Sequence, residues 1–339
     1  MEYATGVDVG RRKELNEDSV SAVTFDETHL DRERQRGGIF VLADGMGGEK
    51  GGEVASYLAT TVIQDELTDT LLSLTRGHNR IMEDMDLDET RLPAIPTPDQ
   101  IRQEMRDAIE AANEAIVTHR SADEGGTTVV VGLYAHGQLF LGWVGDSVAY
   151  VINETDGTIA EMTREHSQVQ RYVDNGDIRP EVARVHNENH IVTRALGGRS
   201  RDPEIVQAPI YGDDIVLFAS DGLLDAYTDA TDLYRDYVRA TDDAERDEII
   251  DDILDTVVTK DEIRDHVLSA DGLSTAAEDL IALANDRGGA DNISVVLFSD
   301  PEQVGRQDVD IPNPARTYEA LVGETDDADI LDAETQFID

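Results

Sequence analysis

Acidic residues recur where the hydrophobic stretches of this sequence stop, and that pattern constrains the fold most. They are Glu17-Asp18 in LNEDS, Asp44 in FVLADGMGG, Asp146 in WVGDS, Asp221 in VLFASDG and Asp291 in GGADNIS. A single Asp-Gly is ordinary turn chemistry. Five such spots, the last just before an apolar run instead of after one, are harder to dismiss, because strand ends in a sheet protein can converge on one edge. Carboxylates gathered there repel one another and shift their pKa values unless cations neutralise them. Oxygen-only ligands select hard cations, magnesium or manganese. Two such ions, typically ~3.5–4 Å apart, can share a carboxylate and a water that becomes a nucleophile near neutral pH. That chemistry needs no serine or cysteine nucleophile.

The composition agrees. The 339 residues contain no cysteine, which excludes disulfides, thiolate nucleophiles and cysteine-ligated zinc. No apolar run approaches the ~18–20 residues of a membrane span. The first residues, MEYATGVDVG, lack the basic and apolar regions of a signal peptide. A soluble, cytoplasmic protein is expected. The formal net charge of −45 opposes binding to nucleic acid or anionic membranes. The acids are spread along the whole chain. They read as a solvated surface adapted to very high salt, not as a calcium-binding sponge.

Short β-type runs (TGVDV, SVSAVTF, GIFVLADG) precede a helical stretch over 53–74. Residues 76–96 read as an exposed connection. Thr97, Pro98 and Gln100 form the signature of a capped helix start. The helix that follows should bury Ile101, Met105, Ile109, Ala112 and Ile116. TTVVVGLYA, QLFLGWVG and VAYVIN are strands, with a hairpin turn at Ala135-His136-Gly137. Further strands are expected at 191–195, 214–220 and NISVVLFS. Residues 230–287 read as helical, with Ser274 or Thr275 capping the last helix. Strands in runs, with helices grouped between them, predict antiparallel sheets covered by helices, an α+β class.

The motifs RKELNEDS, ADGMGG, GTTVV, WVGDS, MTREHS, TRALGG, FASDGLLD and GGADNIS, in this order, resemble the type 2C (PPM) family of metal-dependent protein phosphatases. The likeness spans roughly residues 5–298. It implies a four-layer α/β/β/α sandwich, two antiparallel sheets flanked by helices, with a binuclear manganese or magnesium centre at one end. It implies a catalytic domain over 1–300, with a substrate-bordering flap at about 163–210 and a helical insertion at about 230–272. Residues 301–339 are expected to form a flexible acidic tail. It implies that Asp44 bridges the two metals and that the Gly45 carbonyl contacts one. Asp221 and Asp291 hold the first metal. Glu17 lies beside the second, and Asp18 bonds a metal-bound water. Asp146, with Asp221, forms a third site. Asn292 is a hydrogen-bond partner and not a ligand. The implied reaction is hydrolysis of phosphoserine and phosphothreonine by in-line attack of a metal-bridging hydroxide. The implied partners are phosphoproteins made by a serine/threonine kinase, and a monomer is expected. The alternative is a catalytically weak regulatory or sensor module of the same fold that binds phosphoprotein.

The chain departs from the family pattern at three places. Lys13 stands where an arginine usually binds the substrate phosphate, so Lys13 or Arg12 takes that role. Lysine offers a point charge instead of a planar fork. Met46 replaces a histidine found in many eukaryotic members, as in bacterial-type relatives. Val148 follows the GDS motif where arginine is common. His166 and Trp143 read as structural residues, and Thr325 and Thr335 as possible phosphorylation sites in the tail. The charge pattern predicts that thermal stability and activity rise from low salt to molar potassium chloride. Thermal melts across that series check it, and a falling melting temperature would rule out salt adaptation.

Overall fold

The computed structural model describes residues 1–28, 34–47, 51–77, 95–119, 125–198, 201–225, 231–305 and 315–324. The chain opens with β1 (Glu2–Asp8), β2 (Ser19–Thr28), β3 (Arg34–Ala43) and the short β4 (Gly45–Met46). Helices α1 (Gly51–Gly77) and α2 (Pro98–Thr118) follow. Then come β5 (Gly126–Thr127), β6 (Val129–Ala135), β7 (Gln138–Val144), β8 (Val148–Asn153) and β9 (Thr158–Glu161). A long connection carries α3 (Gln168–Asp174) and α4 (Pro180–Ala183) to β10 (Glu204–Pro209) and β11 (Asp214–Ala219). The remaining elements are α5 (Asp221–Leu224), α6 (Thr231–Arg239), α7 (Asp243–Thr256), α8 (Lys260–Ser269), α9 (Leu273–Arg287), β12 (Ile293–Ser299) and α10 (Tyr318–Glu324).

Two five-stranded antiparallel sheets form the centre, in the orders β1-β12-β11-β8-β9 and β10-β7-β6-β3-β2. Alternation along β3 shows why both faces are covered. Ile39, Val41 and Ala43 face α1 and α2, while Phe40 and Leu42 face the other sheet. In β12, Val295 and Leu297 face α9, and Val296 and Phe298 point inward. The Phe40 and Phe298 rings stack at 4.0 Å between the sheets. The result is the four-layer helix/sheet/sheet/helix sandwich that the sequence implied.

Local signals explain most boundaries. Thr97 and Gln100 close a capping box on α2, with Gln100 N–H donating to Thr97 Oγ1 at 3.3 Å and Thr97 N–H to Gln100 Oε1 at 2.8 Å. The buried face of α2 carries Ile101, Met105, Ile109, Ala112 and Ile116, as its period predicts. His136 and Gly137, both at positive φ, make the two-residue turn between β6 and β7.

Four features differ from the sequence expectation. Residues 191–195 make only an isolated bridge, Ser167 to Val192, and no strand. β9 and β10 were not anticipated. Both are short edge strands, and β10 pairs only with β7. Helix α9 begins at Leu273 with no side-chain cap, so Ser274 and Thr275 lie in its first turn. Part of the segment taken for a flexible tail is packed. Arg316 is 5% and Leu321 1% exposed. The Arg316 guanidinium forms an ion pair with the fully buried Asp214, whose Oδ1 also accepts from Asn153 Nδ2 at 2.8 Å. Thr325, Thr335 and most of the 76–96 connection lie outside the described residues.

Arg316→Ala would strand the buried Asp214 charge. It is expected to cost about 3–5 kcal/mol of unfolding free energy. Urea denaturation checks this; a change within about 0.5 kcal/mol, as for an ordinary surface residue, would show that the segment does not dock in solution.

Candidate metal centre

The register of the two sheets gathers the strand-end acids. Ser19 pairs with Ala43, so Asp18 and Asp44 leave their strands side by side. Ala219 pairs with both Val148 and Val295, which brings Asp221, Asp146 and Asp291 to the same end. Antiparallel pairing puts each strand's start beside its neighbour's finish, so distant stretches of sequence meet there.

Hydrogen bonds fix the backbone around them. The Asp44 carbonyl accepts from Thr128 N–H at 2.9 Å and Thr127 Oγ1 at 2.8 Å, and its own N–H donates to Thr128 Oγ1 at 3.1 Å. Thr128 Oγ1 also bonds Ser147 Oγ at 2.7 Å, which links Asp44 to the turn bearing Asp146. Asn292 pins the first loop: its Oδ1 accepts from Glu17 N–H at 2.8 Å, and its Nδ2 donates to the Val9 and Leu15 carbonyls. Gly45 and Gly52 are required by close approach. A Cβ on Gly45 would overlap the Glu17 and Gly52 carbonyls, and one on Gly52 would meet the Glu17 carboxylate.

The carboxyls are neighbours in charge as well as in space. Burial first, then the charges of Asp18, Asp221, Asp146 and Asp291, holds Asp44 well above the ordinary carboxylate range. Asp146 is pushed well above it by burial, then by Asp221, Glu165 and Asp225. Burial carries Asp18 to about 7 against the pull of the Ser294 hydroxyl, and the Asp221 charge adds to the rise. Asp221 reaches about 6, again from burial and then from Asp291, eased by a hydrogen bond with Asp44. Glu17 is raised chiefly by burial, and Lys13 opposes that rise.

Lys13 Nζ lies 2.6 Å from Asp291 Oδ1. Burial pulls its pKa down, but the Asp291 bond, together with the charges of Asp291, Asp221 and Asp44, carries it above the usual value. Arg12 is exposed on the same loop. Met46 lies in β4, paired with Gly126, and Val148 is buried at the start of β8. His166 has a structural role. Its Nδ1 accepts from Gly145 N–H at 3.1 Å, and its Nε2 faces Glu204 Oε1 at 3.0 Å. Trp143 is fully buried and donates to the Arg164 carbonyl at 2.9 Å.

Both Asp18 oxygens are buried with no hydrogen-bond partner of proper geometry; the Ser294 and Ser220 hydroxyls are close enough only to ease its charge. Orphaned buried oxygens and an all-oxygen donor set suit a hard divalent cation. Among the described residues, no three acids or imidazoles stand as a closed coordination group. Instead Asp44 and Asp221 are close enough to influence each other's protonation, and Asp291 engages Lys13. The site is a set of converging carboxylates rather than a finished shell.

The sequence profile of the protein phosphatase 2C family matches residues 11–288. The chain belongs to that family. The serine/threonine phosphatase stp of Listeria welshimeri is 27% identical over 264 residues, covering 76% of this chain and 83% of that protein. The crystal structure of the Mycobacterium tuberculosis serine/threonine phosphatase PstP/Ppp superposes with a TM-score of 0.60 at 27% identity, covering 87% of this chain and 97% of that one. A structure of the PstP catalytic domain with two manganese ions superposes at 0.56 with 26% identity, covering 87% and 96%. In this type 2C chain the motifs GTTVV, FASDGLLD, MTREHS and GGADNIS contain Thr127, Thr128, Ser220, Asp225, Glu165 and Ser294, but what these side chains touch is visible only in the structure, and Arg184 lies outside every motif.

Asp18 titrates at about 7 in the folded protein against an ordinary value of 3.8. Between those values the folded state holds a proton that the unfolded chain releases, so this group costs stability as pH rises through that window. Metal-depleted wild type is therefore expected to lose stability relative to Asp18→Asn between about pH 4 and pH 7. Unfolding titrations in chelator check it; a pH-independent difference would remove the shift.

Proposed function

We propose that this chain is a metal-dependent protein serine/threonine phosphatase acting on phosphoserine and phosphothreonine. The observation that carries the reading is the convergence of acids from five separate strand ends, within a type 2C fold, around an aspartate with two unsatisfied buried oxygens. Asp44 would serve both ions and the Gly45 carbonyl one of them. Asp221 and Asp291 would hold the first and Glu17 the second, with Asp146 and Asp221 offering a third, weaker position. Bound manganese or magnesium supplies an activated water and positive charge against the phosphoryl oxygens.

The protein's own residues do the rest. Asp18 offers its buried carboxylate oxygens to accept a hydrogen bond and take up a proton. Lys13 or Arg12 binds the substrate phosphate, and in this role Lys13 Nζ would exchange its contact with Asp291 for the anion. The connection between β9 and β10 borders the substrate as a flap. Phosphoproteins made by a serine/threonine kinase in the cytoplasm are the substrate class.

Hydrolysis of a phosphothreonine peptide should require manganese or magnesium and stop in chelator. Asp44→Asn and Asp221→Asn should lower turnover by more than the roughly 10–100-fold typical of losing an outer partner of a metal ligand. Full activity in chelator would overturn the proposal. Replacing both Lys13 and Arg12 by alanine should raise KM for the peptide; an unchanged KM would remove their phosphate-binding role.

A further inference from the structure

Among its described residues, the connection from residue 162 to 203 contains two short helices and two isolated bridges, Ser167 to Val192 within it and Leu196 to Thr127 of β5, but no strand of either large sheet. Without a sheet ladder, it is seated by the bridge at its far end, where Leu196 exchanges hydrogen bonds with Thr127, and by side-chain contacts along its length, among them the Arg179–Asp247 and Arg201–Glu110 ion pairs. One of these contacts is a small apolar cluster in which Val182 and Val185 pack against Ile250 and Ile253 of α7 and Val257 just after it. Another is Arg184, the residue that ends α4. Its Nη2 lies 2.6 Å from Glu165 Oε1, and its Nη1 lies 3.7 Å from Asp225 Oδ1. The side chain is 23% exposed, and its partners are 9% and 20% exposed.

The two partners stand on different structures. Glu165 belongs to the root of the connection, one residue before His166, whose N–H donates to the Gly145 carbonyl at 2.8 Å beside Asp146. Asp225 ends α5, and its N–H donates to the carbonyl of Asp221 at 2.8 Å. A planar guanidinium can reach two carboxylates at once, which an ammonium cannot do with the same geometry. Arg184 thus places a cation from the middle of the connection between its own root and the helix that begins with Asp221. Asp225 and Glu165 would otherwise add two more repelling charges beside Asp146 and Asp221.

We propose that Arg184 is a positioning residue that seats the β9–β10 connection over the acidic end of the sandwich and so governs how a phosphoprotein substrate is held. This rests on the phosphatase reading above. Arg184 touches neither substrate nor ligand; it acts through Glu165 and Asp225. Its effect belongs to substrates large enough to lean on the connection.

The test compares wild type with Arg184→Met, Arg184→Lys and Asp225→Asn, all with manganese. KM and kcat are measured for a phosphothreonine peptide and for p-nitrophenyl phosphate, and amide hydrogen exchange is followed over residues 166–198. Arg184→Met should raise KM for the peptide about tenfold while turnover of the small aryl phosphate stays within about twofold. Exchange across the connection should quicken while the sheets stay protected. Arg184→Lys should recover part of the loss. Equal loss on both substrates, or no change on either, would overturn the proposal. If Arg184→Met does not fold, Arg184→Lys and Asp225→Asn carry the test, and wild-type behaviour in both would overturn it. If wild type hydrolyses neither substrate, the phosphatase reading fails. Hydrogen exchange then still decides the seating, and unchanged exchange in Arg184→Met would refute it.

Discussion

Mutual repulsion among carboxylates that the sheets bring together is the constraint from which the rest of the molecule follows. Asp18, Asp44, Asp146 and Asp221 all titrate above their ordinary range, because protein surrounds them and because each feels the others. A fold does not gather such groups for stability, since each raised pKa is a cost at neutral pH. The sandwich, with both sheets covered by helices and ring stacks between them, supplies the rigidity to hold them together. The threonines of GTTVV, Asn292 and the glycines after Asp44 serve that same purpose, each fixing a backbone segment that would otherwise relax away from its neighbours.

Cations answer this repulsion at three depths. Lys13 reaches the mouth of the site through Asp291. Arg184 lies deeper, between Glu165 and Asp225. Divalent ions would take the centre, where an ammonium or guanidinium could not satisfy so many oxygens at short range. In a chain of net charge −45 with only 28 basic residues, where the bases are spent is informative. Arg316, on Asp214, shows the same economy at the far end of the sandwich.

Much of this was legible in the sequence. Asp44, Asp146, Asp221 and Asp291 stood out because each follows or precedes an apolar run, and a sheet with period-two alternation sends such ends to one edge. The capping box at Thr97 and the hairpin at His136-Gly137 were local signals and held up in the structure. What escaped was non-local. Arg184 pairs with residues 19 positions before and 41 after it, and no spacing rule connects them. Arg316 and Leu321 sit in an acidic stretch whose composition resembles a tail; their burial depends on Asp214 and the inter-sheet core, which composition does not reveal. The edge strand β9 has only 4 residues and β10, EIVQAP, does not alternate and ends in proline, so pairing with β8 and β7 makes them strands.

The order of strands also bears on how the protein is made. Among the described strands β1 is hydrogen-bonded to β12 alone, the latest strand of its sheet in chain order. Residues 2–8 therefore wait without a partner until residues 293–299 have been added. Closure of that sheet is a late event that joins two stretches far apart along the chain, and a high contact order of this kind slows folding. A ribosome stalled before the final strand would hold an open sheet edge and a site lacking Asp291, so the acidic end of the sandwich comes together only once the catalytic region is nearly complete.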